Sequence, residues 1–197
     1  MNTMPANAVI LVVLLVAAAL AAIIWVSVER QRSLRLKRRY GPEYDLAVAR
    51  LGNRRKAEAE LMRRERHVAG LTIVPLSPAD AARYAQVWAM LQSRFVDNPK
   101  GAVAEADQLV REVMQKRGYP MGDFEARAAD ISVDHPGVVS NYRAARIIAA
   151  RDMKGEADTE ELRQAVVHYR TLFDELLGVA PNPVTAVAPA PRLAVHS

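Results

Sequence analysis

Hydrophobic and polar positions divide this chain into stretches of very different pattern. Ala8 to Val28 reads AVILVVLLVAAALAAIIWVSV, with no charged residue inside it or before it. At about 1.5 Å per residue this run extends about 32 Å as a helix, enough for a bilayer core of roughly 30 Å. A secretory signal peptide would carry a positive start, a shorter apolar core of roughly 7–15 residues and a small-residue cleavage site. Here the start, MNTMPAN, has no cation, and Ala17–Ala22 are followed by Ile23, Ile24 and Trp25. The run is read as a retained membrane anchor. A cleaved signal is the alternative, with the domain secreted or held outside.

Beyond the run the pattern changes to dense charge, then to helical periodicity. The first helix is expected to continue through Arg39 and break at Tyr40-Gly41-Pro42, because Gly favours a helix end and Pro a helix start. A second helix is predicted from Pro42 to about His67. Its large apolar residues are few, and Lys56–Glu60 and Glu60–Arg64 are spaced to pair along one face. So polar a helix is expected to bury little, and to bridge membrane and domain or lie on the bilayer. Leu71–Leu76 is rich in β-formers but interrupted by Pro75, which predicts an extended linker packed on the domain.

A folded domain is predicted to begin at Ser77, an N-cap followed by Pro78. Tyr84, Trp88, Leu91 and Phe95 then recur at spacings of four, three and four, the mark of one buried helix face. Val103, Ala106, Val110, Val113 and Met114 mark a second helix, ended by Gly118-Tyr119-Pro120. Phe124, Ala128 and Ile131 mark a short third. A fourth is expected from about Pro136 to Lys154, with Asp134 as its cap, and a fifth from Asp158 through Leu176 behind a capping-box-like start. The prediction is an all-α protein: an N-terminal transmembrane helix, a charged juxtamembrane helix and a compact helical bundle with short loops. Its expected segments are 1–7 external, 8–28 transmembrane, 29–76 basic helix and linker, 77–178 bundle, and 179–197 a disordered tail rich in Pro and Ala.

Charge gives the span a direction. Glu29–His67 holds 13 Lys and Arg against 6 Asp and Glu, whereas Val68–Gly178 holds 13 against 16. The net charge of +5 therefore comes from the juxtamembrane segment, and the bundle is mildly acidic. Arg30, Arg32, Arg35, Lys37, Arg38 and Arg39 crowd one end of the run and resist translocation, which predicts a cytoplasmic domain and an outward N-terminus. The same six form the expected lipid-facing basic cluster, since cations just inside a span gain roughly 1 kcal/mol each near anionic headgroups. Nucleic acid is disfavoured as a partner because the basic charge is not on the folded domain. Ala17 with Ala21, and Ala18 with Ala22, have the spacing of close helix pairs, so a homo-oligomer is possible, though Ala-rich composition is the simpler explanation and the Gly pair of the stronger motif is absent.

Candidate chemistry is sparse. The chain has no cysteine, which removes disulfides, thiolate metal sites and cysteine nucleophiles. Its nine glycines form no phosphate loop or nucleophile elbow. His67, His135, His168 and His196 are scattered. Asp130, Asp134 and His135 have the chemistry of a divalent-metal site, but Asp134 reads better as a cap and Asp130 as solvated. Arg143, Arg146 and Arg151 read as a solvated face rather than a phosphate patch. No catalytic, cofactor or metal residue is assigned.

Two stretches, RFVDNPKGAVAEADQLVREVMQKRGYP from Arg94 to Pro120 and FEARAADISVDHPGVV from Phe124 to Val139, resemble a widespread family of bacterial proteins. Those proteins share an N-terminal apolar segment, a charged helix and a helical domain, and the similarity runs from about Arg30 to Gly178. The resemblance implies a bacterial inner-membrane protein with a cytoplasmic helical domain, and it implies no activity. The expected function is a non-enzymatic interaction or adaptor protein with an unidentified protein partner. The alternatives are an electrostatic tether of anionic lipid or nucleic acid through 30–66, or an enzyme or ligand binder using the bundle interior.

Overall fold

The computed structural model describes Ala6–Gly178, with side chains from Leu14 onward. The first residues of the 1–7 segment and the 179–197 tail lie outside the described residues. Eight helices occur in this range and no strand: α1 (Ala6–Tyr40), α2 (Pro42–Leu51), α3 (Arg54–Ala69), α4 (Pro78–Arg94), α5 (Pro99–Arg117), α6 (Phe124–Asp134), α7 (Val139–Asp152) and α8 (Thr159–Leu177). They form two compact units, and the division falls inside α3 at Met62.

In the first unit, α1 is long and apolar enough to cross a membrane, and none of its apolar window is buried against protein. It ends at Tyr40-Gly41-Pro42 as expected. The single helix expected from Pro42 to His67 is two helices. Gly52 adopts the left-handed conformation (φ 63°) and returns its N–H to the Val48 carbonyl at 2.9 Å, closing α2. Asn53 then accepts from the Lys56 N–H at 3.2 Å and starts α3. Nor does this segment bury little. Leu36, Tyr40, Tyr44, Ala47, Ala57 and Leu61 form a small core joining α1, α2 and α3.

In the second unit the capping residues act where the sequence places them. Ser77, Asn98 and Asp123 accept from backbone N–H groups three residues on, and Asp158 with Glu161 completes a capping box at α8. The faces that these caps align close on one core. Trp88 of α4 stacks on Phe173 of α8, with ring centroids 4.6 Å apart. Val110, Val113 and Met114 of α5, Ile131 of α6 and Tyr142 of α7 join them. α8 packs along both α5 and α7, and α4 along α5. The linker lies on this unit as an extended strand-like segment, the Val74 N–H donating to the Arg117 carbonyl at 2.9 Å with Ile73 and Leu76 against the core.

One helix start differs from expectation. α7 begins at Val139, with Val138 as its uncapped N-terminal residue, and not at Pro136. Asp134 cannot cap it, because its carboxylate accepts the Tyr119 hydroxyl at 3.0 Å and the chain turns through His135-Pro136-Gly137 first.

Gly118 carries the tightest backbone requirement in this unit. Its φ of 97° disfavours other residues, and a Cβ there would strike the Thr72 carbonyl oxygen of the linker. Gly155 has a similar φ of 76° but open space around it. Gly118→Ala should therefore lower thermal stability clearly more than Gly155→Ala, whose cost should stay near about 1 kcal/mol. Equal losses in parallel melts would refute the linker contact.

Candidate membrane-facing site

The six cations of the basic cluster all lie on α1 and all are exposed. They do not share one face. Glu29, Ser33, Leu36 and Tyr40 recur at spacings of four, three and four, and this stripe turns inward. Leu36 and Tyr40 enter the small core, while Arg30, Arg32, Arg35, Lys37, Arg38 and Arg39 occupy the rest of the circumference. Just before them, from Leu14 to Val28, the large apolar side chains are exposed, Trp25 to 67%.

The turn between α2 and α3 adds a second set of cations. From Arg30 to Tyr40 the chain travels about 15 Å along α1, and the ten residues of α2 travel about 15 Å back. Ser33, Leu34 and Lys37 of α1 accordingly line one shallow pocket with Tyr44, Asp45 and Val48 of α2. α3 therefore starts level with Arg30. Trp25, Val26, Glu29, Arg30 and Ser33 of α1 line a cleft of about 300 Å³ with Arg54, Arg55 and Glu58 of α3.

Glu58 holds this arrangement together. Its side chain is only 8% exposed, and its Oε1 accepts the Tyr44 hydroxyl at 2.8 Å and Arg54 Nε at 2.9 Å. Burial pushes the carboxyl pKa up. Hydrogen bonds from Arg54, Ser33 and Tyr44, with the charge of Arg54, outweigh that and hold it below its ordinary value of 4.5. Burial, followed by the hydrogen bond to Glu58, raises the Tyr44 pKa. Sequence reading missed Glu58 because it lies among charges.

In the second unit the polar candidates go to separate partners. Asp130 is buried, not solvated, with His67 Nε2 at 3.6 Å, and burial raises its pKa. His135 Nδ1 meets Glu175 at 3.0 Å, and its other nitrogen lies 3.3 Å from Arg117. No group of three metal-ligating side chains occurs among the described residues. Nor are Arg143, Arg146 and Arg151 a solvated face. Arg143 pairs with Glu125, Arg151 with Glu161, and Arg146 lies 3.5 Å from buried Asp107. Asp107 also accepts the Tyr169 hydroxyl at 2.9 Å and pairs with Arg111 at 3.2 Å. This network ties α5, α7 and α8 through a largely buried carboxylate, a structural role that needs no ligand.

Comparison of the chain with protein-family models, with curated proteins and with solved structures finds no match. The exposed cations of α1 are the feature that points outward from the fold.

Two predictions follow from the buried carboxylates. The Glu58 pKa is lowered on folding, so its contribution is complete above 4.5 and lost as pH falls through the depressed folded value. Glu58→Gln should lose stability at neutral pH by about 2 kcal/mol, and the gap to wild type should narrow on acidification. A gap constant with pH in thermal melts would refute the assignment. Asp107→Ala should cost about 2–3 kcal/mol by stranding the Tyr169 hydroxyl, discounted for the partial exposure of Arg111 and Arg146. Asp107→Asn, which keeps an acceptor, should recover part of that loss in denaturant titrations.

Proposed function

We propose that this chain is a non-enzymatic, single-pass membrane protein that presents its second unit, a helical bundle, to a protein partner at the cytoplasmic face of a bacterial inner membrane. The observation that carries this reading is the exposed apolar surface of α1 from Leu14 to Val28, bounded on one side by exposed cations. Apolar side chains so exposed along a helix are costly in water and favourable in lipid. Cations at one end only favour keeping that end cytoplasmic.

Tethering through 30–66 is the second reading. The position of its cations beside Trp25 and the apolar surface favours anionic lipid over nucleic acid. A catalytic role for the bundle interior has less support, because its buried polar groups join helices to one another.

Topology is the decisive test. The chain has no native cysteine, so Thr3→Cys and Val179→Cys each place one thiol on a known side of α1. Impermeant labelling of intact cells should reach Thr3→Cys and spare Val179→Cys. The reverse pattern would overturn the cytoplasmic placement. For the adaptor role, cross-linked neighbours of the full chain should be lost when 77–178 is deleted; an unchanged set would remove the bundle as the docking element.

A further inference from the structure

The cleft beside Glu58 has a composition that neither the small core nor the Glu58 staple requires. Trp25 and Val26, from the apolar run, line it together with Arg30, Arg54 and Arg55. Two acids also line it, Glu29 and Glu58. Glu58 is already met by Arg54 and Tyr44. Arg30 and Arg55 are exposed, and neither has an ion pair among the described residues. With Glu29 opposing one of them, the open part of the cleft has one cation in excess.

Depth supplies the second argument. Trp25 lies near the charged end of the apolar run, where an indole favours the headgroup zone. Arg30 lies about 7.5 Å further along the helix, five residues at 1.5 Å each, and α2 returns Arg54 and Arg55 to that level. A phospholipid beside α1 would place its acyl chains along the apolar span and its phosphate at the height of these guanidinium groups. Guanidinium is suited to the task because its planar donors can grip two phosphate oxygens at once.

We propose that the cleft between α1 and the start of α3 is a seat for one anionic glycerophospholipid, its phosphodiester held between Arg30 and Arg55 and its upper acyl region against Trp25 and Val26. Arg54 is a positioning residue, aligned by Glu58 so that the α2–α3 turn stays at headgroup height. The surrounding cations Arg32, Arg35, Lys37 and Arg38 contribute a general attraction; the cleft contributes selection of one molecule. This inference rests on α1 crossing a bilayer.

The full chain is placed in nanodiscs of mixed phosphatidylglycerol, phosphatidylethanolamine and phosphatidylcholine, and the lipid retained per released chain is read by native mass spectrometry. One phosphatidylglycerol should be retained. Replacing Arg30→Gln with Arg55→Gln should lower its occupancy at least about tenfold, from roughly 1 kcal/mol per cation near an anionic surface. The charge-matched pair Arg32→Gln with Arg38→Gln, which removes only general attraction, should lower it clearly less than the cleft pair, and Arg30→Lys with Arg55→Lys should keep most of it. Equal losses from the two Gln pairs would reduce the effect to general charge and overturn the seat. Equal retention of phosphatidylethanolamine or phosphatidylcholine would overturn the anionic selectivity. Displacement by soluble glycerophosphate would show a free-phosphate site instead. Failure to enter the discs would refute the membrane reading, whereas a chain that enters and retains no lipid refutes the cleft alone.

Discussion

The fold of the first unit depends on satisfying one carboxylate withdrawn from water. Glu58 sits between α1, α2 and α3, and an unpaired buried charge there would oppose the packing of all three. Tyr44 and Arg54 supply its donors from α2 and from the first turn of α3. Without those bonds, the apolar contacts of Leu36, Tyr40, Tyr44, Ala47, Ala57 and Leu61 form too small a core to dominate the dense surrounding charge. With them, the charged segment doubles back on α1, and cations far apart in the chain arrive at one level.

That level matters because the two ends of α1 have opposite physical needs. The apolar end exposes side chains that water does not tolerate in such number, and the charged end exposes guanidinium groups that a bilayer core does not accept. The return of α2 sets Arg54 and Arg55 beside the boundary between these ends. The other unit meets its needs internally. Its aromatic stripe closes around Trp88 and Phe173, and its buried acids Asp107 and Asp130 are met by Arg146 and His67.

Most of the helical pattern was legible in order. The stripe Tyr84–Trp88–Leu91, the caps at Ser77 and Asp158, and the stops at Gly41 and Gly118 are local signals, and local backbone preference decides them. The errors have other causes. Asp134 has the chemistry of a cap, yet the Tyr119 hydroxyl takes it; Asp130 looks solvated, yet α3 and α6 enclose it; Gly52 looks like a tolerated glycine within a helix, yet it ends one. For the two acids the deciding partner is distant in sequence, whereas Gly52 ends α2 through its own left-handed backbone and a local bond to Val48.

The linear order of residues by itself determined the length of the apolar run, the partition of charge around it, the all-helical composition and the helix ends with strong capping residues. These depend on spacing and on neighbours within one turn. Only the tertiary structure decided that the basic segment folds onto α1, that Glu58 joins three helices, and that Arg30 and Arg55 flank one cleft. Burial and ion pairing depend on which surfaces meet, and a periodic pattern dominated by charge does not record that meeting.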